Sequence, residues 1–208
     1  MLSRVIDRFS LQFLTGFITS AVAICVVLGL SGCGIQSIPQ SKNEVDASLA
    51  EITNQYKRRS DLIPNLVETV KGYAKQEQDT FTKVTEARAH ATSMNIDPSR
   101  ATPEQIENFQ KAQGQLSSAL GRLLAVSEQY PDLKSNQNFR DLQAQLEGTE
   151  NRITVARNRY IQSIKEFNNL VTVLPTSLTN SIMFHYPAMP QWGGDVTDAE
   201  KQAPKVKF

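Results

Sequence analysis

The sequence has few of the residues that most often build catalytic and metal sites. Among 208 residues there are only two histidines and two cysteines. Neither His90 nor His185 has a second histidine four residues away, the spacing that places two metal ligands on one helical face. No G-x-S-x-G nucleophile elbow and no glycine-rich phosphate loop is present. The sequence therefore predicts no catalytic residue, no bound metal and no cofactor.

An excess of charge of either sign is also missing. The chain has 22 basic and 21 acidic residues, which gives a net charge of +1. A nucleic-acid-binding domain would show a basic surplus, so this class of partner is excluded. Cys25 lies in an apolar run, and acylation of Cys33 would leave no thiol for pairing. A disulfide framework is therefore excluded, and stability must come from packing.

The N-terminal segment is long and uncharged, since no residue from Phe9 to Ser41 is acidic or basic. As a helix, its apolar run Leu11–Leu30 would span about 30 Å, the thickness of a hydrocarbon core. The most apolar part, "AVAICVVLGL", has only the length of a signal-peptide core. The pattern leaves open an uncleaved membrane span and a cleaved signal peptide.

The tetrapeptide "LSGC", Leu30–Cys33, ends the apolar run and resembles the lipobox of bacterial lipoproteins. This resemblance implies that a peptidase cuts before Cys33 and that the cysteine receives lipid. Arg4 and Arg8 precede the apolar run and favour a cytoplasmic N-terminus. Both interpretations therefore predict that residues 34–208 lie outside the cytoplasm, attached to the cell membrane or to an outer membrane.

Beyond residue 40 the sequence has a helical period and no convincing strand alternation. Within Lys42–Met94, two heptad positions form a mostly apolar seam. Pro64 interrupts the helix without shifting the heptad phase, which predicts a kink and not a loop. Val45, Leu49, Ile52 and Tyr56 form the first part of this seam.

Two further long helices follow. Thr102, Pro103 and Gln105 combine an N-cap, a proline at the first helical position and a capping-box partner, which predicts a helix over Pro103–Tyr130. A third helix is predicted over Asn136–Leu174, and "TSLTNSIMF" can form a short fourth. The predicted fold is all-α, an elongated antiparallel bundle of three long helices plus a short C-terminal helix.

The predicted organisation along the chain has four parts. They are a signal peptide or membrane anchor over residues 1–32, a tether over residues 33–41, the helical bundle over residues 42–184 and a loose tail over residues 185–208. The tail is predicted from its prolines and its two adjacent glycines.

Three stretches of the predicted bundle resemble the signature blocks of the LemA family. They are "YKRRSDLIPNLVETVKGYA", Tyr56–Ala74, "ALGRLLAVSEQYPDLKSNQNF", Ala119–Phe139, and "LQAQLEGTENRITVARNRY", Leu142–Tyr160. Together with the lipobox, the resemblance covers about residues 30–175. It implies a membrane-anchored bacterial protein with a helical-bundle ectodomain and no established activity. Many members of that family carry an uncleaved N-terminal span instead of a lipobox.

Two polar clusters interrupt the apolar seams. Arg59 and Thr149 fall on seam positions, where a polar residue usually sets helix register or partner choice. Gly148 would let a neighbouring helix approach closely. A structural polar layer and a partner-binding patch both fit these observations. The hinge cluster comprises Arg58, Arg59, Asp61 and Asn65, and the polar layer comprises Glu147, Thr149, Glu150, Asn151 and Arg152.

Helix lengths predict an unpaired apolar stripe near the membrane. At 1.5 Å per residue, Lys42–Met94 would extend about 80 Å, whereas Pro103–Tyr130 covers only about 42 Å. Val45, Leu49, Ile52 and Tyr56 would then have no helix of the same chain beside them. Such a stripe is expected to bind a second copy or another envelope protein. The alternative is that the kink at Pro64 or the C-terminal tail covers it within the same chain.

These observations favour a membrane-tethered, extracytoplasmic scaffold or protein-interaction module of the cell envelope, without catalytic activity. One alternative is an envelope hydrolase, which would need a deep pocket around Glu68 and Glu150. Another is a bundle that binds a small lipid, which would need a seam too wide to be filled by its own side chains.

Overall fold

The computed structural model describes the backbone of residues 2–193 and the side chains of residues 35–193. Every regular element in that part is helical, so the all-α class is confirmed. The helices are α1 Leu2–Lys71, α2 Gln78–Ser93, α3 Pro103–Ser127, α4 Pro131–Ser135, α5 Gln137–Thr172 and α6 Thr176–Thr179, with a π-helical turn at Asn180–Phe184.

The chain forms two compact units. Residues 1–43 and 165–188 form the first, here called the small unit, and residues 44–164 and 189–208 form the second, the bundle unit. Across the residues whose side chains are described, no helix combines the length and the apolar character needed to cross a membrane. The predicted run Leu11–Leu30 and the predicted lipid site Cys33 lie outside those residues.

Four helical segments of the bundle unit run alternately in opposite directions. Arg88 of α2 contacts Ser60 of α1, so these two helices form an antiparallel hairpin. Tyr56 and Arg59 meet Phe109 and Gln113 in the same order along α1 and α3, so these two helices are parallel. Along α5 the order is reversed, since Arg59 contacts Glu150 and Ser48 contacts Ser163. This is the up-down-up-down arrangement of a four-helix bundle.

The predicted single helix over Lys42–Met94 is wrong, because the chain turns between Lys71 and Gln78. Gly72 is the poorest helix former in this region apart from proline, and it follows the last residue of α1. The turn is closed by backbone hydrogen bonds, since the amides of Tyr73 and Ala74 donate to the carbonyl oxygen of Val70 at 3.0 and 2.9 Å. Pro64, where the interruption was predicted, lies inside α1.

The start of α3 follows the prediction closely. Thr102 Oγ1 accepts from the backbone N–H of Gln105 at 3.2 Å, and the Gln105 side chain accepts from the Thr102 amide at 2.9 Å. This reciprocal pair is the capping box predicted from the sequence. The helix ends at Ser127, a few residues before the predicted Tyr130.

The core of the bundle unit is filled by its own apolar side chains. Residues from α1, α2, α3 and α5 form one continuous cluster of buried side chains, including Ile63, Val70, Val84, Leu116, Leu123, Phe139 and Leu146. Leu133 of the short helix α4 joins the same cluster and is fully buried. The seam is therefore filled as a self-contained bundle requires.

Candidate functional site

Arg59 is a charged residue enclosed at the centre of the bundle unit, with 1% of its surface exposed. Its Nη1 donates to Ser117 Oγ and Glu150 Oε1, both at 2.7 Å. Its Nη2 donates to Gln113 Oε1 at 2.6 Å and to the Gln113 carbonyl oxygen at 3.2 Å. The guanidinium also lies over the ring of Tyr56, 4.9 Å from its centroid. One side chain of α1 thereby connects α3 and α5.

The two partners of this ion pair differ in their access to water. Arg59 is enclosed, whereas 45% of the Glu150 side chain is exposed. A buried charge is tolerated only when it is paired and hydrogen-bonded, so Arg59 requires these contacts. Arg59 therefore fixes the relative positions of three helices, which is the structural interpretation of a polar seam residue.

The other hinge residues, Arg58, Asp61 and Asn65, are exposed on α1. Their spacing of three and four residues places them along one side of the helix. Within the described part of the chain, their side chains make no hydrogen bond or ion pair. The predicted hinge cluster thus divides into a buried arginine and an exposed polar surface, here called the hinge surface, made of Arg58, Asp61 and Asn65.

The predicted polar layer of α5 is mostly local to its own helix. Thr149 is fully buried, and its hydroxyl donates to the Gln145 carbonyl oxygen one turn earlier at 2.7 Å. Glu147 accepts from Gln143, also on α5, at 3.0 Å. Asn151 and Arg152 are exposed. Among the five predicted residues, Glu150 is the one with a bond to another helix that the structure records.

The expectation that Gly148 admits a neighbouring helix is wrong. A Cβ atom placed on Gly148 would meet the guanidinium of Arg152 on the same helix, at 3.6 Å. An atom of a neighbouring helix does not come that near, so a small residue is not needed here for packing.

The predicted unpaired stripe is already covered by the same chain. Val45, Leu49, Ile52 and Tyr56 are each at most 3% exposed. Phe109 of α3 packs edge-on against Tyr56, with the ring centroids 5.3 Å apart. The prediction of a bare stripe requires one continuous helix over Lys42–Met94, with α2 as an extension of α1. Since α2 folds back, Phe109 of α3 lies beside Tyr56, and the reason for assigning a partner to the stripe is removed.

On the N-terminal side of Tyr56, two polar pairs join α1 to α5 beside the same stripe. Ser48 and Ser163, both buried, are joined through their hydroxyls at 2.8 Å. Arg159 donates to both carboxylate oxygens of Glu51 at 3.0 Å. Ser163 lies two heptads after Thr149, so the sequence contained a signal for this buried polar position.

Arg157 forms a second polar contact that the sequence analysis missed. Its Nη2 donates to the Tyr56 hydroxyl at 3.0 Å, and its guanidinium lies 5.9 Å from the centre of the Trp192 ring. Trp192 also packs edge-on against Tyr160 at 5.5 Å. The part of the predicted loose tail that reaches Trp192 is therefore packed against α5, while residues 194–208 lie outside the described part. No spacing rule links Arg157 to Trp192, because the approach depends on how the tail folds back.

Burial, together with the nearby charge of Asp46, raises the pKa of the Tyr160 phenol to about 12. Both causes favour the neutral phenol, because burial and a neighbouring negative charge each penalise a phenolate. Tyr160 is 3% exposed and remains protonated at physiological pH.

Two open grooves are found in the bundle unit. The first, of about 450 Å³, runs between α1 and α2 and is lined by Ile63, Val67 and Phe81 with Glu68 at its edge. The second, of about 790 Å³, lies between the start of α3, Tyr160 and the segment ending at Gly193. Glu150 lines neither groove and pairs with Arg59, so Glu68 and Glu150 do not share the pocket that a hydrolase would need.

Within residues 35–193, no three or more histidine, cysteine, aspartate or glutamate side chains are gathered in a way that could hold a metal ion.

The sequence that forms this bundle is similar to known proteins. The model of the LemA family matches residues 48–208. This chain belongs to the LemA family. It is 25% identical to Protein LemA of Metamycoplasma hominis over 132 residues, covering 64% of this chain and 57% of that protein. It is 26% identical to Magnetosome protein MamQ of Magnetospirillum gryphiswaldense over 139 residues, covering 57% of this chain and 50% of that protein.

The predicted family resemblance is confirmed by this match. The chain spans about half the length of the two relatives, 57% and 50%. The match begins at residue 48, so it includes the hinge cluster and the polar layer but not Cys33 or the apolar run before it.

Proposed function

We propose that this LemA family chain is a membrane-tethered helical scaffold of the bacterial cell envelope that binds a partner protein through its hinge surface. The observation that carries the proposal is the division of the hinge cluster. Arg59 is committed to bonds within the chain, whereas Arg58, Asp61 and Asn65 are exposed on the same two turns of α1. Exposed polar side chains on a rigid helix, held in place by a buried anchor, are suited to recognition.

The tether is supported by the N-terminal sequence. An uncharged stretch from Phe9 to Ser41 contains an apolar run that ends in "LSGC". Acylation of Cys33 with several chains would hold the protein firmly, whereas one chain alone binds only marginally. Arg4 and Arg8 on the N-terminal side favour export of everything that follows.

The buried polar contacts of Arg59 fit a structural scaffold better than an active site. The enclosed charge of Arg59 is neutralised by Glu150 within the bundle. The hydrolase alternative required a deep pocket around Glu68 and Glu150, but Glu68 lines the groove between α1 and α2 whereas Glu150 pairs with Arg59. Filling of the seam by its own side chains likewise gives no support to a lipid-binding cavity.

The test is affinity capture of the intact anchored protein after crosslinking in living cells. The variant Arg58→Ala/Asp61→Ala/Asn65→Ala is compared with Asp79→Ala/Lys83→Ala, which removes an exposed ion pair from α2. Both variants leave the net charge unchanged. The proposal predicts that the hinge variant loses a partner that the wild type and the α2 variant retain. Equal recovery of the same proteins from all three would contradict it.

A further inference from the structure

The exposed large hydrophobic side chains of the described chain are concentrated in the small unit. Of eight such residues, five fall within one stretch of eleven, and they are Val173, Leu174, Leu178, Ile182 and Met183. We call these five residues the apolar ridge. Scattered exposed apolar residues are normal on protein surfaces, but a dense cluster marks an interaction surface.

The ridge is held in place by polar bonds on its other side. Asn180 is buried and its Nδ2 donates to the Tyr186 carbonyl oxygen at 3.0 Å, while the Tyr186 amide donates to Asn180 Oδ1 at 3.0 Å. The Tyr186 ring packs against Phe167, with the centroids 5.8 Å apart. With the inner side occupied in this way, the ridge residues point outwards.

The three most exposed residues of the ridge lie in three consecutive segments, which are the turn after α5, helix α6 and the π-helical turn. They are Leu174, Leu178 and Ile182, and they are 74%, 58% and 68% exposed. Exposure of this degree at three neighbouring apolar residues is costly in water and favourable in contact with an apolar phase.

The sequence around the ridge lacks the four residue types that carry a full charge. Residues 167–194 contain no Asp, Glu, Lys or Arg, in a chain of which 21% is charged. The N-terminal segment of the small unit is similarly uncharged from Phe9 to Ser41. A surface for a soluble partner ordinarily has a polar, charged rim, whereas the boundary of a bilayer disfavours charged side chains within it. The composition therefore matches a lipid surface better than a protein partner.

We propose that the apolar ridge inserts into the boundary between headgroups and acyl chains of the bilayer that holds the N-terminal anchor. This inference rests on the proposed membrane tether, because Ile35, an exposed apolar residue of the same small unit, follows the predicted lipid site Cys33 by two residues. Phe184 and Tyr186 are stacked next to the ridge, with their centroids 5.9 Å apart, and tyrosine is enriched at membrane interfaces. The anchor then fixes the distance of the small unit from the bilayer, and the ridge fixes its orientation.

The test uses the full chain in vesicles of phosphatidylethanolamine and phosphatidylglycerol with bromine on the acyl chains, which quenches tryptophan on contact. In a Trp192→Phe background, Leu178→Trp reports on the ridge. Val155→Trp is the matched control, because Val155 is also aliphatic and is 51% exposed, but lies in the bundle unit. Ile182→Trp provides a second ridge variant in case the first does not fold.

Since an interfacial apolar face lies about 5–10 Å into this boundary, we expect at least about twofold stronger quenching at either ridge position than at the control. Vesicle flotation is measured on the same samples. Chains that float with the vesicles but are quenched no more at the ridge than at the control would overturn the inference and leave the tether standing. Acrylamide, a quencher dissolved in the water, is added to the same samples. If the ridge tryptophans are quenched neither by acrylamide nor by the lipids, the inference is also overturned, because a second copy then covers the ridge. Failure of the chain to float with the vesicles would contradict both the membrane tether and the inference.

Discussion

The Nε–H of Arg88 in α2 donates a hydrogen bond of 2.8 Å to the backbone carbonyl oxygen of Ser60 in α1. In an uninterrupted helix this oxygen would accept from the amide four residues later, which here is Pro64 and has no N–H. Arg88 supplies the donor that Pro64 lacks. The same bond fixes how α2 folds back along α1, so an irregularity in one helix determines the register of the next.

This relationship predicts an energetic coupling between Arg88 and Pro64. Arg88→Met should lower the free energy of unfolding by about 1–2 kcal/mol, because it leaves the Ser60 carbonyl oxygen without a donor. In a Pro64→Ala background the restored backbone N–H can bond to Ser60, so the same change at Arg88 should cost clearly less. Urea unfolding of the full chain in detergent would measure this double-mutant cycle. Equal costs in both backgrounds would show that the bond to Ser60 does not depend on Pro64.

The Arg59–Glu150 pair should respond unequally to loss of either partner. Glu150→Leu leaves the enclosed arginine without its counter-charge and should cost about 3 kcal/mol or more. Arg59→Met should cost less, because the exposed part of Glu150 remains hydrated. The double variant should recover part of the loss. Identical costs for the two single variants in urea unfolding would contradict the asymmetry.

Thr149 serves as the control for the polar layer. Its hydroxyl donates to a carbonyl oxygen of its own helix, so it holds no other helix in register. Thr149→Val should therefore lower the free energy of unfolding by no more than about 1 kcal/mol, the net contribution of a single local hydrogen bond. A loss as large as that of Glu150→Leu in the same unfolding experiment would mean that the hydroxyl has a further, essential role.

The pairing of α1 with α5 can be tested with cysteines. Ser48→Cys and Ser163→Cys replace two hydroxyls whose oxygens lie 2.8 Å apart, in a mature chain whose one native cysteine, Cys33, is acylated in this account. We expect a disulfide within one chain on mild oxidation in membranes, seen as faster migration on a non-reducing gel. A disulfide-linked dimer as the main product would show instead that this part of α1 pairs with another copy.

Alkaline titration should destabilise the bundle through Tyr160. Its pKa is about 12 in the folded chain and 10.0 when unperturbed, so the folded state holds the phenol proton more tightly than the unfolded state. The stabilisation is therefore complete below pH 10 and is lost as the pH rises through 10 to about 12. Tyr160→Phe should show a flatter decline of unfolding free energy over this interval. The same slope in both proteins would mean that Tyr160 is not the responsible group.

Local signals in the sequence predicted local structure well. The capping box of Thr102 and Gln105 depends on residues three apart, and it forms as expected. The end of α1 was missed because the heptad phase continues from Val70 to Val84 across the turn. Both helices of an antiparallel hairpin face the same core, so periodicity alone does not show that the chain has reversed between them.

Contacts between distant residues were predictable only in part. A polar role for Arg59 follows from its seam position, but its partners Gln113 and Ser117 depend on α3 packing alongside α1, with Phe109 beside Tyr56. The burial of Leu49 and Ile52 follows from the same arrangement and was missed with it. The uncharged sequence around the ridge was visible from the start, yet its exposure depends on how Asn180 holds the π-helical turn.

The central claim is that the bundle is held on a membrane by its N-terminus, and mass spectrometry of the native chain tests it most directly. The chain is recovered separately from the membrane and soluble fractions of cells, and its N-terminal peptide is examined. The account predicts recovery from membranes as a mature chain that begins at acylated Cys33, and Cys33→Ala should leave the precursor uncut. Recovery of an intact chain that begins at Met1 from membranes would show that an uncleaved helix, and not a lipid, is the anchor. Recovery mainly from the soluble fraction, without lipid, would contradict the account.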